Sequence, residues 1–258
     1  MPANYALHRF GAEALNCLPE HQQRPVRRFR RLYNGGLHGA DLFFYFRPMM
    51  PGPVGELYHT YHSMTGREFF AQAVELLKQN PSEGAMACLY GLLANYCLST
   101  QLTPLFREAM AAGNLSRTEL EVELDRYLLC RDGKMPAHQQ DVASGLHLTR
   151  GECVTMALFY PPATAANLYS AYQSMIRWSA RMAGKKRKMT DALLKMTQGT
   201  FSHQRMADHA NHKCLHLDSA MAECCDKALA CYGEMARQLT AYREEGTPLG
   251  ELFAPTFH

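Results

Sequence analysis

Six groups of side chains in this sequence have types and spacings that chemistry can use. Asp41 follows the glycine-rich stretch Gly36-Leu37-His38-Gly39-Ala40 and precedes the aromatic run Leu42-Phe43-Phe44-Tyr45-Phe46. A carboxylate placed there stands where the chain meets the core and can face a metal ion or a buried cation. The plainer alternative makes Asp41 the cap of a short helix and leaves His38 in solvent. His59 and His62 stand three apart, a spacing at which two imidazoles share a helical face and, in some proteins, a metal ion. Asn95, Ser99 and Thr103 fall at i, i+4 and i+8, a polar stripe on an otherwise apolar helix. Buried polar groups of this kind need hydrogen-bond partners. Arg117 and Glu121 are again four apart, followed by Glu123, Asp125 and Arg126, and on a surface helix such pairs add only tenths of a kcal/mol. His203, His209, His212 and His216 gather with Asp208 and Cys214. On a regular helix His209, His212 and His216 share one face, which makes them an alternative transition-metal cluster. The basic runs Arg24-Pro25-Val26-Arg27-Arg28-Phe29-Arg30-Arg31 and Lys185-Lys186-Arg187-Lys188 read either as contacts for phosphate or an anionic surface, or as solvated helix ends.

The elements that must hold these groups read as helices. Alternating Val/Ile/Thr runs are missing, and Ala, Leu, Met, Glu and Gln, all strong helix formers, dominate. Phe69, Phe70, Ala73, Leu76 and Leu77 form one stripe of a helix from Gly66 to Lys78, stopped by Asn80-Pro81. Gly84 to Leu98 is apolar almost all round, as expected of a helix at the centre of a bundle. Ser116 with Glu119 makes a capping box for a helix to about Leu129. Thr149 to Phe159, Thr164 to Met182 and Asp218 to Glu245 are further helices. Residues 33–58, rich in Gly, Pro and aromatics, read as a packed loop, and residues 131–146 as a polar one. The tail Thr247 to His258 has two expected places, on the body or on another subunit.

Composition narrows the function classes. The chain has 258 residues, of which 47% are hydrophobic and 20% charged, an ordinary globular balance. With 27 basic against 24 acidic residues the net charge is +3, too small to point to nucleic acid. No apolar run approaches the ~20 residues of a membrane span, and Met1-Pro2-Ala3-Asn4-Tyr5 does not open like a secretory signal. Nine scattered cysteines, an odd number, suit reduced thiols in a cytoplasmic protein better than a disulfide framework. A single all-α domain over residues 1–258 is the economical expectation.

Taken in order, several segments carry a family resemblance. Met1-Pro2-Ala3-Asn4-Tyr5-Ala6-Leu7-His8-Arg9-Phe10-Gly11 is similar to an opening that usually reads Tyr-Ala-His-Tyr-Arg-Phe-Gly. Gly36-Leu37-His38-Gly39-Ala40-Asp41 is similar to Gly-Leu-His-Gly-Pro-Asp, and His62 to Phe70 to a histidine followed by Ser-Gly-Arg-x-Phe-Phe. Leu89 to Tyr96 resembles a Tyr-Gly-Phe-x-x-His-Tyr helix, and Glu119 to Arg126 a Glu-Ile-Glu-x-Glu-Phe-Asp-Arg helix. Together they resemble the bacterial zinc-dependent phospholipase C family (the phospholipase C/D domain), in its cytosolic clostridial-type members, most strongly over residues 1–130. The resemblance implies an all-α bundle with a cleft for up to three zinc ions and phosphoester hydrolysis by zinc-activated water. It puts Asp41, His62 and Glu121 at metal-ligand positions, with any catalytic role falling to Asp41. It also puts non-ligands at the remaining positions. Leu7 stands for a histidine, with His8 one residue off; Asn95, Thr103 and Arg117 stand for histidines; Ser99 stands for a bridging aspartate. On this basis at most one zinc is expected, or none.

Two functions of different classes follow. The first is a metal-depleted, catalytically impaired phospholipase C-like protein that binds or regulates, its ligand a phosphorylated small molecule, a lipid headgroup or a partner protein. In this reading Arg117 neutralises Glu121, and with it Asp41, where zinc would have done so. The second is a residual metal-dependent phosphoester hydrolase with a rearranged site, using Asp41, His62 and Glu121 with His8 or with His209, His212 and His216. A helical protein with no small-molecule site is the bland third possibility.

Overall fold

Helix-forming stretches and their caps set most element boundaries. The computed structural model describes residues 4–47, 52–113, 115–143, 146–183 and 205–257. These hold ten α-helices, and no strand forms among them; Thr65 and Thr256 make one isolated bridge. The helices are α1 (Asn4–Ala14), α2 (Glu20–Arg28), α3 (Arg30–Gly36), α4 (Pro53–Ser63), α5 (Gly66–Gln79), α6 (Glu83–Gly113), α7 (Arg117–Arg131), α8 (Arg150–Ala157), α9 (Ala165–Ala183) and α10 (Asp218–Glu245). Reciprocal capping boxes open three of them: Thr65 with Glu68 at α5, Ser116 with Glu119 at α7, and Thr149 with Glu152 at α8. Each satisfies two backbone donors that the first turn leaves over. Gly246, at φ 75°, closes α10 in the left-handed conformation that favours glycine.

The all-α expectation holds, and two boundaries differ from it. Residues 33–58 are not a packed loop: α3 runs through Gly36, a 3-10 segment spans Gly39–Tyr45, and α4 begins at Pro53. Glycine and proline misled here because proline at the first position of a helix fits its fixed φ, and glycine serves close packing as well as turns. The central helix does not stop at Leu98 but runs on to Gly113, with Pro104 inside it. Every residue of α6 from Gly84 to Ser99 is buried.

α3 and α10 make the most extensive contacts with α6. The α3–α6 approach is backbone against backbone. A Cβ on Gly91 would lie 2.1 Å from the Tyr33 carbonyl oxygen, and one on Gly36 2.3 Å from that of Cys88. This crossing sets the end of α3 against α6 and carries His38 and Asp41 into the interior. The tail takes the first of its two expected places. Phe253 and Phe257 are buried against Phe70 and Tyr96, and both Gly66 N–H and the Tyr96 hydroxyl donate to the Pro255 carbonyl, at 3.0 and 2.9 Å. All nine cysteines are free. Among the described residues, no helix is long and apolar enough to cross a membrane.

Candidate functional site

Gly39 turns the chain at φ +52°, and the 3-10 segment that follows delivers Asp41 to the interior. Asp41 is 2% exposed and caps nothing in solvent. His62, in the last turn of α4, places Nε2 3.0 Å from Asp41 Oδ1. Its Nδ1 lies 2.6 Å from the Tyr58 carbonyl, which can only accept, so Nδ1 carries a proton. Nε2 then meets the carboxylate attractively only if the Asp41–His62 pair holds one further proton between them. Asn95 of α6 donates from Nδ2 to Asp41 Oδ2 at 3.3 Å and to the Leu37 carbonyl at 2.7 Å.

A second group stands on α6 and α7. Arg117 Nε donates to Glu121 Oε1 at 2.9 Å, and both terminal guanidinium nitrogens reach Thr103 Oγ1 at 3.4 Å. Thr103 in turn donates to the Ser99 carbonyl at 2.8 Å. Glu121 is buried, so this is no surface pair. Two phenols join the groups. The Tyr58 hydroxyl is pushed up by burial and then by the charges of Asp41 and Glu121, with Arg117 opposing. The Tyr45 hydroxyl is pushed up by burial and, among charges, by Asp41, Glu121 and Asp125. Asp125, one turn after Glu121, accepts the backbone N–H groups of Tyr5 and Ala6 at 3.1 and 2.8 Å, where a carboxylate suits the positive end of α1. Burial nevertheless pushes Asp125 up to about 7.

Not every sequence-predicted residue joins this centre. Leu7 is packed in the core. His8 pairs with His38, Nε2 to Nε2 at 3.2 Å. His38, expected in solvent, is 1% exposed. Burial holds His8 down at about 4 and His38 at about 3, so both are neutral at pH 7. His59 is exposed while His62 is buried, so the two do not converge. His209, His212 and His216 are exposed, and 205–217 is bends, a turn and a 3-10 turn at Leu215–Leu217 rather than one helix, so the shared face does not form. His203 and the basic run at 185–188 lie outside the described residues. Tyr45, Tyr58 and Asp125 were not anticipated as members of the centre. Asp125 was legible in principle, being four residues from Glu121 on the same face of α7.

The donors present do not fit a zinc cluster. Asp41 and His62 are in contact, Glu121 is held by Arg117, and the other expected positions offer amide, hydroxyl or guanidinium groups. Among the described residues no group of three or more His, Cys, Asp or Glu side chains is arranged to hold an ion. Beside Glu121 and Asp125 a pocket of about 80 Å3 opens between α7 and α9, with Tyr45, Trp178, Met182 and His138 in its walls. No family model, curated protein or solved structure matches this chain.

Proposed function

We propose that this chain is a phospholipase C-like helical protein in which an ion-pair and hydrogen-bond network stands in place of the zinc cluster, and that it serves as a binding or regulatory module. The observation that carries this reading is the pairing of charges in the buried centre: Asp41 with His62, Glu121 with Arg117. Buried carboxylates need partners, and here the Arg117 guanidinium holds Glu121 while His62 Nε2 and the Asn95 amide face Asp41. Metal-assisted hydrolysis needs an open coordination position with an activated water, and Arg117 occupies that ground without a lone pair to offer. Binding then falls to the pocket beside Glu121 and Asp125. Glu121 is already paired with Arg117 and Asp125 is pushed up to about 7, so the pocket presents little positive charge of its own and suits a neutral or cationic group. A phosphorylated small molecule or lipid headgroup therefore fits only by presenting such a group.

The residual hydrolase keeps one observation in its favour. His62 donates Nδ1–H to a carbonyl while its Nε2 faces a carboxylate, the outer bonding that metal-ligating histidines use. Elemental analysis of chelator-free protein, with hydrolysis of bis-p-nitrophenyl phosphate followed on the same sample, separates the two. Little zinc and no hydrolysis above background, before and after zinc addition, are expected. Stoichiometric zinc with turnover abolished by His62→Ala would overturn the proposal in favour of the hydrolase.

A further inference from the structure

The basic run from Arg24 to Arg31 takes no part in the buried centre. It covers the second half of α2 and the start of α3. Gln22 and Val26 of α2 are buried, while Arg24, Arg27 and Arg28 are exposed. Their i, i+3, i+4 spacing puts all three on the outer face of the helix. Arg31, four residues after Arg27, is exposed as well. Of the five arginines, Arg30 alone is turned aside. Its Nε donates to Asn34 Oδ1 at 3.1 Å, and its guanidinium lies 5.2 Å from the centre of the Tyr33 ring.

Local needs account for part of this charge. Arg27 and Arg28 stand in the last turn of α2, where cations suit the negative end of the helix. Arg28 meets Glu83 at 3.1 Å, but both side chains are more than half exposed, and such a pair holds its arginine weakly. Arg31 meets Glu152 at 2.8 Å, a carboxylate that also serves the capping box of α8. Arg24 stands a turn before the helix end. No carboxylate among the described residues pairs with it or with Arg27, whose guanidinium reaches only the Gln23 amide oxygen, at 2.9 Å. Glu20, the one acid of α2, is in its first turn.

The partner must therefore be anionic, and its shape follows from where the arginines stand. The cavity of about 480 Å3 beside α2 is lined from this helix by His21, Gln22 and Pro25, none of them arginine. The cations face outward, toward a surface rather than an enclosed small molecule. Phe29 packs toward Gly84 of α6, so the strip carries no apolar wedge and holds by charge alone. A cluster of four or more basic side chains on an amphipathic helix is what an anionic bilayer attracts, and the arginine fork matches phosphate oxygens. A whole-chain charge of only +3 argues against nucleic acid as the partner.

We infer that the outer face of α2, continued by Arg31, is a docking surface for the phosphate groups of an anionic phospholipid bilayer. It shares no residue with the buried centre, so it stands independently of the function proposed above.

The test sediments the full-length protein with vesicles of phosphatidylcholine alone and with vesicles that also contain phosphatidylserine. Binding should require the phosphatidylserine and should fall steeply as salt rises through about 0.15 M, where screening acts beyond ~8 Å. Arg24→Gln with Arg27→Gln should weaken it about 25-fold, roughly fivefold for each arginine lost. Arg107→Gln with Lys213→Gln removes the same charge from two other exposed positions and should leave binding within about twofold. No binding of the unsubstituted chain to phosphatidylserine vesicles, equal losses in the two double variants, or binding that salt leaves unchanged would overturn the inference. A duplex oligonucleotide that binds more tightly than the vesicles at the same salt would overturn it in favour of nucleic acid. All four arms but the comparison of variants use the unsubstituted chain, so a poorly folding variant does not blunt them.

Discussion

Arg117 shows how a single side chain changes the chemistry of its surroundings. Its guanidinium holds Glu121 and touches Thr103, and its side chain is 21% exposed against 6% for Glu121. Removing it leaves a carboxylate buried beside Tyr45 and Tyr58 without its cation. Arg117→Met should lower unfolding free energy by about 2 kcal/mol, below the full penalty for breaking a buried pair because the arginine reaches solvent. Arg117→Met combined with Glu121→Met should regain most of the loss, since both partners of the pair are then gone. Urea denaturation of the two variants reads this out, and a single variant as stable as the parent would remove the network from the account. The types and spacing of Arg117 and Glu121 were visible in the sequence. Their burial was not, because a four-residue spacing reads the same on a wet face as on a dry one.

At the scale of elements, the capping boxes of α5 and α7, the stop before Pro81 and the full span of α10 follow from local rules that act within a few residues. The burial of α6 was legible for a related reason, an apolar pattern all round the helix. The run from α3 to α4 was misread as loop because its glycines serve the crossing with α6, a partner more than fifty residues away in sequence. That crossing makes a sharp prediction. Gly91→Ala puts a methyl 2.1 Å from the Tyr33 carbonyl oxygen, a contact that only separation of the two helices relieves. The cost should be about 3 kcal/mol or more, seen as a lower urea midpoint. Ala at Gly133, which has nothing within 4 Å but sits at φ +72°, should cost only about 1 kcal/mol, from strain alone.

For the whole molecule, buried titratable groups set opposing pH dependences. His8 and His38 are held below their ordinary range, near 4 and 3, so the unfolded chain takes up protons first and stability falls as pH drops from about 6.5 toward those values. Beyond burial, Arg30 lowers His8, while His38 is lowered by His8 and raised by Asp41. Asp125 is pushed up to about 7, so the folded chain keeps its proton longer and stability falls as pH rises from about 4 through 7. Asp125→Asn should therefore be less stable than the parent at pH 5, where it loses an acceptor for Tyr5 or Ala6, and should close that gap by on the order of 2 kcal/mol at pH 8. A gap that stays constant between the two would show that the N–H groups of α1 already compensate the charge. The sequence by itself determined the helical class, the boundaries of the helices from α5 onward except the end of α6, and the types of Asp41, His62, Asn95, Glu121 and Arg117, because propensity, capping and periodicity act locally along the chain. Tertiary structure alone decided that Asp41 meets His62 and Asn95, that His8 meets His38, that the histidines at 209, 212 and 216 stay apart in solvent, and that the tail folds back on Phe70 and Tyr96. Each of these depends on which distant faces the glycine crossing and the central helix bring together, and no local pattern encodes that.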